Sequence, residues 1–123
     1  MKKWKLSIAV LLIVCINVAL FMKFHYPELP FTNKTKDEVV HIATTSNLPL
    51  RKVTQQGGYV WFITDDALEE AVQSLKQRMT NNGWHYVEQD GSGYFFEKDS
   101  EKVVIESHQW TSNYLLFQLP IGL

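Results

Sequence analysis

Between Leu6 and Met22 the chain carries no charge, and only Ser7 and Asn17 in that run are not apolar. Nothing else in the 123 residues restricts the fold as much. A segment of this composition partitions into lipid. As a helix it is about 25 Å long at roughly 1.5 Å per residue, against a hydrocarbon core of about 30 Å. Trp4 and Lys5 on one side, and Lys23, Phe24 and Tyr26 on the other, are amphipathic types that sit at headgroup depth and make up the difference. Residues 6–22 are therefore expected to be a transmembrane signal anchor, with the lipid bilayer as their partner. A cleaved signal peptide shares the basic start. However, Asn17-Val18-Ala19 puts an amide where a small residue is wanted, and Leu20-Phe21-Met22 continues the apolar run beyond it. Lipid modification at Cys15 fits poorly as well, because the bulky Val14 precedes it and further membrane-like residues follow. Cys15 reads as a small apolar residue within the span.

Charge sets the expected orientation. Lys2, Lys3 and Lys5 crowd a tail of five residues, whereas Lys23, Lys34 and Lys36 are spread over a longer stretch on the other side. Short tails obey the positive-inside bias and larger domains cross largely regardless of charge. Residues 1–5 are thus expected to be a cytoplasmic basic tail and the remainder to lie outside, as a single-pass protein of the cell membrane or envelope. Three of the twelve basic residues belong to that tail, which leaves nine against thirteen acidic ones for the exposed part. A surface of that sign excludes nucleic acid as a partner. The one cysteine lies in the apolar run, so no disulfide can form within the exposed domain. An outer domain without disulfides is more typical of a bacterial envelope than of a secreted animal protein.

Residues 23–36 contain Pro27 and Pro30 and little periodicity, which predicts an extended, Pro-containing tether able to hold a domain up to roughly 50 Å from lipid. Residues 37–123 are then a single extracytoplasmic domain with one modest core. Its clearest element is a helix. Thr64 is placed to cap it, Asp65 and Asp66 would begin it, Leu68, Ala71, Val72, Leu75 and Met79 form one apolar stripe, and Gly83 stops it. Around it the composition predicts strands at 38–43, 59–63, 84–88, 94–98, 102–107 and 114–119. An additional strand at 51–54 would turn through Gln55-Gln56-Gly57-Gly58, and Asp90-Gly91-Ser92-Gly93 and Asp99-Ser100-Glu101 are turn chemistry. The expected fold class is α+β: an N-terminal transmembrane helix, then a small domain with one helix on a mainly antiparallel sheet whose last three strands form a meander.

One helix covers only one side of such a sheet, yet the aromatics alternate onto both. Tyr59 and Trp61 alternate with Val60 and Phe62, Trp84 and Tyr86 with His85 and Val87, Tyr94 and Phe96 with Phe95. The second face must be covered by other parts of the chain, by a second copy in a homodimer, or by a ligand or peptide that stacks on it. Tyr59, Trp61, Trp84, Tyr86 and Trp110 are the candidate binding face, with another envelope protein or a peptide as the expected partner. Catalytic signatures are sparse. His41, His85 and His108 share no metal-binding spacing, Gly91-Ser92-Gly93 is most simply a turn, and the acidic residues 65–70 read as a helix start and its solvated face. No cofactor, metal site or catalytic residue is implied. The expected function is binding and not catalysis. The competing reading is an accessory, hydrolase-like enzyme using His85 or His108.

Overall fold

The computed structural model describes residues 2–24, 26–65 and 67–123. Helix α1 spans Lys2–Phe24. Its 23 residues reach roughly 35 Å, and none of its apolar window is buried against the rest of the chain. It is long and apolar enough to cross a membrane, or to be a signal sequence, by length and composition. The two interruptions in its apolar run are satisfied within the helix, since Ser7 donates to the Lys3 carbonyl and Asn17 to that of Ile13.

The remaining elements are α2 (Lys36–Thr45), β1 (Arg51–Gln56), β2 (Tyr59–Thr64), α3 (Leu68–Asn81), β3 (His85–Asp90), β4 (Gly93–Lys98), β5 (Glu101–Gln109) and β6 (Leu115–Pro120). All six strands form one antiparallel sheet in the order β1-β2-β6-β5-β4-β3. β3 to β6 run as a meander, so its last three strands pair as their turn chemistry requires. β6 closes the sheet by pairing with β2 over its whole length, from Tyr59 opposite Pro120 to Thr64 opposite Leu115. The glycine turn at Gly57-Gly58, with both residues at positive φ, joins β1 to β2.

α3 packs its Ala71, Leu75 and Met79 onto one face of the sheet, against Phe62, Trp84, Tyr94, Phe96, Ile105, Phe117 and Leu119. It starts later than its acidic residues suggest. Thr64 does not cap it but is the fully buried end of β2. Asp65 precedes the helix and accepts the Ala67 N–H at 3.3 Å, and Ala67 occupies the N-cap position without a side-chain cap. Asp66 lies outside the described residues. The far end closes as expected. Gly83 takes φ +86°, and Trp84 N–H returns to the Met79 carbonyl at 2.9 Å.

The stretch Glu38–Ala43 is helical, not a strand. Thr35-Lys36-Asp37-Glu38 is a complete capping box, in which the Thr35 hydroxyl accepts the Glu38 N–H and the Glu38 carboxylate accepts the Thr35 N–H. Val39 and Ala43, one helical turn apart, are buried together. The reciprocal cap and the stripe outweigh the β-branched content of Val39, Val40 and Ile42. α2 packs beside β1 on the second face of the sheet, with Val39, Ala43, Val53, Trp61, Ile63 and Leu116 in a second apolar cluster.

The expected tether is packed as well. From Tyr26 to Thr35 the chain has no helix or strand, yet Phe31 is buried 5.5 Å from the Trp61 ring and Asn33 donates to the Thr54 hydroxyl at 2.7 Å. Trp110 holds its start. The indole N–H donates to the Pro27 carbonyl at 2.9 Å while the ring stacks on Tyr26 at 5.2 Å. A buried tryptophan needs a partner for its N–H, and this segment supplies it. The folded domain thus begins at Tyr26, at most about 7.6 Å along the chain from the end of α1. Trp110→Ala should destabilise the domain by about 3–5 kcal/mol and open residues 26–35 to proteolysis, whereas Trp110→Phe should lose mainly the hydrogen bond, about 1 kcal/mol. Urea unfolding with limited proteolysis of the detergent-solubilised chain checks both.

Candidate binding surface

The five candidate aromatics do not form one face. Trp84 and Tyr86 lie on the α3 side; Tyr59, Trp61 and Trp110 belong to the α2 side. Three of them are core. Trp61, Trp84 and Trp110 are each no more than 6% exposed, because α3 covers Trp84 while Phe31, α2 and the Tyr26 segment cover the other two. Tyr59 and Tyr86 remain partly open, but Tyr86 is on the edge strand β3 and Tyr59 on β2, separated from it by β6, β5 and β4. The Tyr86 ring is edge-on to Phe96 and carries the Lys76 ammonium 3.9 Å from its centroid. Alternation in a strand shows that neighbours point to opposite faces, but not which face a distant segment will cover.

The register reveals a surface that the sequence reading missed. Residues 26–35, α2 and Trp110 cover the β1-β2-β6 half of the second face. On the other half, β4 and β5 pair Phe95 with Val104, both half-buried, and β3 brings Glu88 opposite Phe95. Around that apolar pair stand Asp90, Glu97 and Glu106, with Lys102 bonded to Glu97 at 3.5 Å and His85 opposite Glu97. Gly93 is required here, since a Cβ at that position would come within 2.9 Å of the Val104 Cγ2. At the margin runs β3, the edge strand, all six of whose residues are exposed. Its outward main-chain N–H and C=O groups are an edge of the kind that can pair with another strand. A bulge at Val87, between Tyr86 and Glu88, shortens any regular pairing.

The histidines lie apart. His85 is exposed on β3, and the His108 ring on β5 pairs with the Gln118 side chain at 2.9 Å and sits 5.7 Å from the Trp61 ring. Lys102, across β4 from His85, is roughly 20 Å along β5 from His108. Both therefore cannot serve one site. Among the described residues, no three His, Cys, Asp or Glu side chains come together as a metal-holding group. The signal for the open half-face was present in the turn-linked strands 85–90, 93–98 and 101–109. What was hidden was the uncovered state of their second side.

Among the described residues, Tyr94 is the side chain whose proton affinity is clearly moved. Burial, and to a lesser degree the neighbouring Tyr86, pushes its pKa above 10.0. Protein-family models, curated proteins and solved structures yield no match to this chain.

Trp61→Ala and Trp84→Ala are expected to cost about 3–5 kcal/mol each, and Tyr86→Ala, at the surface, less than half of that. Urea unfolding ranks them. The Tyr94 shift has a sign in stability. Below pH 10.0 both folded and unfolded chains hold the phenolic proton and nothing changes. As pH rises above that value the unfolded chain loses its proton first, so stability falls until the folded-state pKa is passed. Tyr94→Phe should lose less stability than the parent chain over that alkaline window in matched unfolding curves.

Proposed function

We propose that the protein is a single-pass, membrane-anchored interaction domain, held outside the cell by α1, that binds an extended segment of another envelope protein. The uncovered β3-β4-β5 half-face beside the exposed β3 edge carries this reading. A strand added to that edge would gain main-chain hydrogen bonds and lay alternate side chains over Phe95 and Val104. Glu88, Asp90, Glu97 and Glu106 around the pair select for a basic segment. The Val87 bulge and the edge carboxylates are the features by which an edge strand resists indiscriminate pairing, including with its own copies. Short basic segments then have an advantage that apolar edges lack.

The anchor supports the outward placement. Its tail is basic and the domain is acidic, and α1 is long enough to span. A photo-crosslinking residue at Val87 or Phe95 in intact cells should capture one defined envelope protein. The same residue at Leu48, exposed at the far side, should not. Double charge reversal, Glu88→Lys with Asp90→Lys, should abolish the adduct while leaving the unfolding curve within about 0.5 kcal/mol of the parent. Equal labelling from Val87 and Leu48, or protection of a C-terminal tag from external protease, overturns the reading.

A further inference from the structure

At the end of the sheet nearest α1 there is a second concave feature, separate from the open half-face. It is a cavity of about 330 Å³ lined by Asp65, Gln89, Tyr94, Ser107, Gln109 and Asn113, among others. That volume falls at the small end of ligand-sized clefts. Tyr94 is 4% exposed, yet its hydroxyl has no hydrogen-bond partner among the described residues and is not sealed from solvent. A hydroxyl that is open to a cavity and makes no hydrogen bond to the protein is free to bond to what occupies the cavity, solvent or ligand.

The hydrogen-bonding state of the lining defines what fits. Gln89 donates its amide to the Gly91 carbonyl and Gln109 donates to that of Thr111, so both present their side-chain oxygens as acceptors. Ser107 donates to the Ser92 carbonyl and likewise keeps acceptor capacity. The Tyr94 hydroxyl and the Asn113 amide, which forms no side-chain hydrogen bond among the described residues, are donors. The carboxylate of Asp65 faces the Arg51 guanidinium at 3.5 Å, so the charge it brings is already compensated. An ammonium would find no unpaired charge and could not use the two donors. A phosphate would meet the carboxylate and an excess of acceptors. Groups that donate and accept at once, as hydroxyls do, match the set.

The position of the cavity adds the source. Gln109 immediately precedes Trp110, which is gripped by Tyr26 and Pro27, and Tyr26 lies two residues beyond α1. The Trp110–Tyr114 loop, whose Asn113 lines the cavity, is thereby held close to the end of the apolar helix. We propose that this cavity is a binding site for a neutral, hydroxyl-rich group of sugar type, completed by the Tyr94 hydroxyl and set close to the membrane surface. The group comes either from a glycolipid headgroup or from a soluble or wall-borne glycan, and the two differ in presentation only.

The test uses the full chain in nanodiscs, with amide and side-chain NMR shifts followed for Gln89, Tyr94, Gln109 and Asn113. One arm adds methyl glucoside or methyl N-acetylglucosaminide to discs of phosphatidylcholine, and the other incorporates a monoglucosyl diacylglycerol into the discs. Saturable shifts confined to those residues in either arm support the site, and the arm that gives them names the source. Tyr94→Phe keeps the ring that packs on Phe117 and should weaken binding about tenfold, with Asn113→Ala as a second, exposed-loop variant. The proposal is overturned by the absence of site-confined shifts in both arms. Binding unaffected by both variants, or a Tyr94-dependent response to ethanolamine or methyl phosphate and not to sugars, overturns it equally. The readout does not involve the β3 edge, so failure here leaves the protein-binding reading intact and the converse holds.

Discussion

The β2-β6 ladder carries large apolar side chains on both of its faces, and the packing of everything else follows from that. Phe62, Phe117 and Leu119 point to one side, Trp61, Ile63 and Leu116 to the other. A central pair of strands in that state is stable only when buried twice. α3 supplies one cover with a regular stripe. The other cover is assembled from pieces, namely the short helix α2, the irregular residues 26–35 and the Trp110 corner, none of which is large enough alone. Three strands on that side exhaust the available cover, which is why the β5-β4-β3 half of the same face stays open.

The same need for cover carries the packed domain back almost to α1. Trp110 can be buried only if its indole N–H is satisfied, and the satisfying carbonyl belongs to Pro27, just past α1. The linking segment is therefore part of the core and not a spacer. The packed part of the chain begins at Tyr26, two residues beyond the end of α1. At the end of the sheet next to Trp110 the β5-β6 loop and the β2-α3 connection line one cavity.

Charge and edge geometry divide the surface into regions with different chemistry. The open half-face combines a small apolar centre with carboxylates and an accessible main chain. The α1-proximal cavity is nearly neutral, because Asp65 is compensated by Arg51 and the other polar groups are amides and hydroxyls. Neither region contains the tryptophans, whose size made them the obvious candidates and whose burial removed them.

Much of this fold was legible in the chain. The apolar run of α1 needs only composition, since its seventeen positions contain no charge. The α3 stripe and the strands at 59–64, 93–98, 101–109 and 115–120 need only local period and turn residues, which neighbouring side chains and backbone torsions impose directly. Even α2 had its signal, the Thr35–Glu38 box, although the β-branched residues after it read as strand. The destination of each aromatic was not local. Trp110 depends on a carbonyl 83 residues earlier, Trp61 on Phe31, and Tyr94 on how α3 closes over the sheet. Alternation along a strand determined that two faces exist. Only the tertiary structure decided which of them is covered, because burial is a property of what distant segments bring to a surface and not of the residues that form it.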